Sequence, residues 1–205
     1  MAELSAIRKT LAYYLTWPAV QLLARTPITP SAITWFGFLL AVGAAALIFT
    51  EHLFAAGFLV LISGFFDMLD GALARRTNRV THFGAILDST LDRLSEAVLL
   101  LGILVLYTNT VLYTNTQSLV GILLVGIALL SSQLVSYIRA RAEAVGLECQ
   151  VGLFTRAERV VVLALGLLLN QITNALVIAL AIIVVFSFFT IGQRLVYVWQ
   201  QAKIK

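Results

Sequence analysis

Charge is scarce in this sequence: of 205 residues only 12% are Asp, Glu, Lys or Arg, while 60% are hydrophobic. A chain so poor in charge cannot cover a water-facing surface, which excludes an ordinary soluble domain and places the protein in lipid. Cysteine is almost absent. Cys149 stands alone, so neither an intrachain disulfide nor a cysteine-built metal site is available. No Pro-, Gly- or Ser-rich linker and no domain-sized repeat divides the chain, so residues 1–205 read as a single membrane domain. The start lacks the long apolar stretch and small-residue cleavage site of a secretory signal. The two histidines, His52 in an external loop and His82 in a polar turn, are assigned neither catalysis nor metal binding.

Long apolar runs are what the sequence has instead. They lie at about 30–49, 53–68, 94–107, 118–138, 160–170 and 175–193, several near the roughly 20 residues that cross a bilayer. The expected fold is therefore all-α and integral to the membrane, with six transmembrane helices forming a bundle over 30–200. The second and third runs reach spanning length only by continuing into the polar stretch between Phe66 and Arg93. The short echo LYTNT, at 106–110 and 112–116, reads as an external loop. Ahead of the bundle, Leu4, Ile7, Leu11 and Tyr14 recur at helical spacing beside Arg8 and Lys9, which predicts an amphipathic interfacial helix within residues 1–25.

With six spans, all 14 Lys and Arg fall on one side of the membrane, and the opposite loops carry only Glu51 and His52. The positive-inside tendency makes that side cytoplasmic, with both termini and the polar segments that hold the chemistry. The net charge of +4 suits topology and anionic lipid headgroups. Nucleic acid is not an expected partner, because the basic residues sit at membrane boundaries with no soluble module to present them.

The acids are patterned. Asp67 and Asp70 are three residues apart, Asp88 and Asp92 four apart, so each pair shares one face of its helix. A short polar segment ending near Gly84 lets the two helices run antiparallel and face their pairs. Four carboxylates close together near a low-dielectric membrane require protons or a bound cation. Oxygen ligands select Mg2+, Mn2+ or Ca2+, and four carboxylates suit two ions, the arrangement that clamps attacking and leaving oxygens in phosphoryl transfer. Solvated helix-end aspartates are the bland alternative. Gly71, Ala74 and Gly84 read either as close helix packing or as room for a flat ligand, and Arg75 as a snorkelling residue or a phosphate partner.

The stretch Asp67-x-x-Asp70-Gly71-x-x-Ala74-Arg75, followed after eight residues by Gly84-x-x-x-Asp88-x-x-x-Asp92, resembles the signature of the CDP-alcohol phosphotransferase family. The resemblance implies six spans, a homodimer, and transfer of a substituted phosphate from a CDP-linked lipid to an alcohol with release of CMP. It implies two divalent cations, Mg2+ or Mn2+, one on Asp67, Asp70 and Asp88 and the other on Asp70, Asp88 and Asp92. Asp92 would also be the general base. Gly71, Ala74 and Arg75 would face the cytidine nucleotide, as would Thr34 on the first span; where the family has a Pro-Asn pair, this chain has Pro30 followed by Ser31.

Asp88-Ser-Thr-Leu-Asp92-Arg93, Ser136-Tyr-Ile-Arg139-Ala-Arg141-Ala-Glu143 and Arg156-Ala-Glu158-Arg159 further resemble the phosphatidylinositol-phosphate synthase branch, which implies an inositol phosphate acceptor. Thr155 stands where that branch often has Glu. A dianionic acceptor needs converging cations, and Arg139, Arg159 and Arg194 are the expected set. Arg194 stands out because it lies inside an apolar run, where a charge is costly without a partner. Arg141 and Arg156 read as ordinary cytoplasmic-loop charge. Glycerol-phosphate transfer, as in phosphatidylglycerol-phosphate synthases, is the alternative enzyme reading. A divalent-cation transporter would explain the acids but not the arginines around them.

Overall fold

The computed structural model describes residues 14, 16–114, 118–149 and 151–204, and among them the regular structure is entirely α-helical. A short helix α1 (residues 16–23) precedes α2 (Pro30–Phe49), α3 (Leu53–Arg76), α4 (His82–Thr114), α5 (Ser118–Ala144), α6 (Arg156–Leu168) and α7 (Ala175–Ile204). Four of these, α2, α3, α5 and α7, are long and apolar enough to cross a membrane. Only 33–39% of each apolar window is buried inside the molecule, so most of that surface faces outward, as it must in a solvent of lipid. The protein is an integral membrane protein. Leu4, Ile7 and Leu11 lie outside the described residues; Tyr14 is helical and exposed, and α1 continues the segment.

Each predicted apolar run corresponds to a helix, and the differences lie at the ends. As spanning length requires, the second and third runs continue into the polar stretch between Phe66 and Arg93, which is helix on both sides of a short turn at 77–81, since α3 runs on to Arg76 and α4 starts at His82. Of the loop expected over 106–116, residues 106–114 are instead the last turns of α4, and 115–116 lie outside the described residues. There the Tyr107 ring lies against Gly121 of α5, so close that a Cβ on that glycine would be 2.8 Å from it. α6, at 13 residues or about 20 Å, is shorter than the apolar core of a bilayer.

Packing follows small residues. α2 lies between α3 and α4, α4 meets α5, α5 meets α7, and α6 wedges between α3 and α7. In lipid, where apolar side chains gain little by leaving solvent, close backbone approach provides the contact. A Cβ on Gly57 would lie 2.8 Å from Leu168, one on Gly102 would lie 3.1 Å from the Ala45 carbonyl, and one on Gly166 would lie 2.5 Å from the Ala179 Cβ. The main core, including Ile48, Val60, Leu100, Ile103, Leu167 and Leu180, fills one end of the bundle. A second cluster of Val20, Ile33, Leu69 and Leu73 fastens α1 to α2 and α3, helped by Arg76 stacked 4.6 Å from the Trp17 ring. That second cluster is adjacent in sequence to the aspartates of α3, and it sets where they face.

Candidate active site

α3 and α4 carry the acids on facing surfaces. Oxygens of Asp67, Asp88 and Asp92 come within 4.8 Å of one another, close enough for one metal ion to reach all three. Asp70 stands beside this trio rather than in it, near enough to Asp67 and Asp88 for their charges to act on it. It is 3% exposed; its Oδ1 accepts the Gly71 N–H at 2.5 Å, while its Oδ2 is buried with no hydrogen-bond partner. An orphaned buried carboxylate oxygen next to three converging carboxylates fits a hard divalent cation, whose ligands are oxygens at 2.0 to 2.6 Å or so.

Another cation meets the trio. Arg156, the first residue of α6, directs Nη1 to Asp67 Oδ2 and, at 2.5 Å, to Asp92 Oδ1. The sequence reading of Arg156 as ordinary loop charge therefore gives way, because α6 begins directly against the site and its side chain turns inward. Thr155 caps that helix: its backbone N–H and hydroxyl each reach Glu158 Oε2, at 2.7 and 2.5 Å.

The expected nucleotide-side residues line the same end. Thr34, in the first turns of α2, is 7% exposed, donates to the Pro30 carbonyl at 3.1 Å and lies beside Asp70. Pro30 occupies the first helical turn behind the N-cap Thr29, whose hydroxyl accepts the Ala32 N–H at 3.3 Å. Arg75 is exposed and folds back over Gly71, where a Cβ would sit 3.4 Å from its Nη1; Ala74 is partly exposed. The Gly84 N–H donates to the Thr81 hydroxyl oxygen at 3.0 Å, at the start of α4.

The three arginines expected around an acceptor lie in three different settings. Arg194 is 4% exposed and donates to two neutral carbonyls, Val151 at 3.0 Å and Val135. Gly152 (φ +142) lets the loop pass, since a side chain there would be strained and would meet Thr190 at 2.9 Å and Arg194 at 3.4 Å. Arg139 is exposed and ion-paired with Glu143 at 2.8 Å. Arg159 is 1% exposed and held by Glu96, Nε to Oε1 at 2.6 Å and Nη2 to Oε2 at 2.9 Å. Arg139 and Arg159 are both near enough to Arg194 for their charges to act on it. The sequence reading put these cations together without a counter-acid; Glu96, unremarked in the apolar run 94–107, is that acid for Arg159. Its signal was there to find, since Asp88, Asp92 and Glu96 succeed one another at four-residue steps along one face of α4.

Comparison with known proteins bears on this geometry. A sequence model of the CDP-alcohol phosphatidyltransferase family matches residues 27–191. An archaetidylinositol phosphate synthase of Methanothermobacter thermautotrophicus is 41% identical over 181 residues, 87% of each protein. A phosphatidylinositol phosphate synthase of Mycobacteroides abscessus is 36% identical, covering 92% of this chain and 84% of that one. Crystal structures of Mycobacterium tuberculosis phosphatidylinositol phosphate synthase, one with CDP-DAG bound and one with manganese and citrate, superpose with TM-scores of 0.78 at 34% identity. Each covers 90% of this chain, which spans 93% and 88% of theirs.

Proposed function

This chain belongs to the CDP-alcohol phosphatidyltransferase family of membrane enzymes, and we propose that it transfers the phosphatidyl group, or its ether-lipid equivalent, from a CDP-lipid to inositol 1-phosphate. The observation that carries the proposal is the convergence of Asp67, Asp88 and Asp92 from two helices with Asp70 alongside, at the spacing this chemistry requires. The inositol phosphate acceptor is supported by the names of relatives at 34–41% identity, which differ in lipid, archaetidyl or phosphatidyl, and agree on inositol phosphate.

In this reading Asp67, Asp70, Asp88 and Asp92 would hold two divalent cations, Mg2+ or Mn2+. Bound there, such ions supply charge neutralisation for a diphosphate and for its departing phosphate. Asp92 takes the proton of the acceptor hydroxyl as that oxygen bonds to the lipid-side phosphorus, and the bond from that phosphorus to CMP breaks. Thr34, Gly71, Ala74 and Arg75 hold the nucleotide end, with the bare backbone at Gly71 leaving room and the Arg75 guanidinium already over it. Arg194, whose partners are neutral carbonyls, keeps its charge for the acceptor phosphate; Arg139 and Arg159, near enough for their charges to act on it, add to the field.

The wider reading has six spans, with α4 and α6 as the two beyond the four helices that are both long and apolar enough to cross a membrane, both termini and the site on the cytoplasmic side by charge placement, and, as the family resemblance implies, a homodimer as the assembly. CMP release by the full chain in detergent, with CDP-diacylglycerol and Mg2+, tests the acceptor. Turnover with inositol 1-phosphate and not with glycerol 3-phosphate, inositol or serine is expected. Preference for glycerol 3-phosphate would keep the carboxylate chemistry and overturn the acceptor.

A further inference from the structure

Arg156 and Arg159 stand one turn apart at the start of α6 and meet their acids in different ways. Arg159 presents its fork, Nε and Nη2 each taking one oxygen of Glu96, in a pair that is almost wholly buried. Arg156 uses one nitrogen. Its Nη1 alone reaches both acids, donating a hydrogen bond to Asp67 and making an ion pair with Asp92, whose buried Oδ1 accepts no hydrogen bond, while its own buried Nε has no acceptor.

A guanidinium gains most from a two-pronged match to one carboxylate and gains less as a point charge. A single nitrogen shared by carboxylates from two helices uses Arg156 as a point charge. A monatomic cation would complete that arrangement with better geometry and higher charge. The two acids it bridges are two of the three whose oxygens converge within 4.8 Å. Arg156 is also 21% exposed at the side chain, against 1% for Arg159, so it has an exit that its neighbour lacks.

We propose that Arg156 is an exchangeable counter-cation of the carboxylate cluster: it neutralises Asp67 and Asp92 in the metal-free protein and is displaced when a divalent ion enters. The inference rests on the reading of the cluster as a metal site. Through the exchange the acids are never left bare, which in a partly buried setting would cost several kcal/mol or drive their protonation. Glu96 and Arg159 keep α6 anchored to α4 throughout, so the change is confined to one side chain. Displacement frees the Asp92 carboxylate from its ion pair. It also turns a guanidinium with its Nε unengaged toward the mouth of the site, where a phosphate oxygen of a bound substrate would be its match.

The test is Mn2+ binding by the full chain in detergent, reading free Mn2+ by electron paramagnetic resonance for wild type and Arg156→Gln, with melting temperatures in chelator and in saturating Mn2+. Wild type must break an ion pair to bind the metal, so the variant should bind Mn2+ about fivefold more tightly, the scale of a partly exposed ion pair. It should melt below wild type in chelator, and the gap should close in Mn2+. Equal or weaker Mn2+ affinity in the variant, or a deficit that Mn2+ does not close, would overturn the exchange while leaving the metal site intact. Absence of Mn2+ binding by both proteins would overturn the metal site and the exchange with it. Should Arg156→Gln fail to fold, Arg156→Lys takes its place: its shorter ammonium cannot span both acids as well, and Mn2+ binding no tighter than wild type would again refute the proposal.

Discussion

The proposed chemistry asks two things of Asp92, to help hold a cation and to accept a proton, and the second sets how sensitive activity is to its replacement. Asp92→Asn keeps shape and loses basicity, so CMP release should fall by about 10²–10⁴ in kcat, the range for a positioned acid or base. A loss under about tenfold in steady-state assays would remove Asp92 from the proton transfer. Arg194 makes a different prediction. Because its acceptors among the described residues are the neutral carbonyls of Val135 and Val151, Arg194→Gln should raise KM for inositol 1-phosphate and leave KM for the CDP-lipid nearly unchanged. Equal shifts in both constants would place it elsewhere. At this scale the sequence was most legible for the aspartates, whose three- and four-residue steps imply shared helix faces without any coordinates. It was least legible for Arg156 and Glu96, because which way a helix-end arginine turns, and which acid crosses the bundle to meet another, depend on how α6 docks on α3 and α4.

Between helices, a few contacts decide the packing. Glu96→Ala would leave Arg159 buried and unpaired, at a cost of about 3–5 kcal/mol, whereas Glu96→Ala combined with Arg159→Met should recover most of that loss. Thermal melts in detergent distinguish the two; a double variant no more stable than the single one would mean that the pair is not the link between α4 and α6. Gly166→Ala places a Cβ 2.5 Å from the Ala179 Cβ and should lower stability by about 1–3 kcal/mol by forcing α6 and α7 apart. Apolar runs predicted that helices exist here and where their middles lie. The need for spanning length also predicted that α3 and α4 carry polar residues past their apolar runs, but nothing in the runs predicted the far end of α4, which extends to Thr114 where Tyr107 finds a glycine to pack against.

The whole molecule is a bundle with an apolar outer surface, as exposed Leu39, Phe58, Leu130 and Phe188 on its helices illustrate. Composition alone sufficed to assign it to lipid. The crossing pattern comes from charge placement, and it predicts that, in a Cys149→Ser background, a cysteine at position 203 is labelled from the cytoplasmic side while one at position 51 is labelled from the other. Labelling of both from one side would require an odd number of crossings between them to be abandoned. The proposed chemistry has the carboxylates of α3 and α4 acting through a divalent cation on a CDP-lipid. The direct measurement is CMP release from CDP-diacylglycerol and inositol 1-phosphate after exhaustive chelation and again after adding back Mg2+ or Mn2+. Activity should disappear with chelator and return with either ion, and turnover indifferent to chelation would rule out a metal-dependent reaction at these carboxylates.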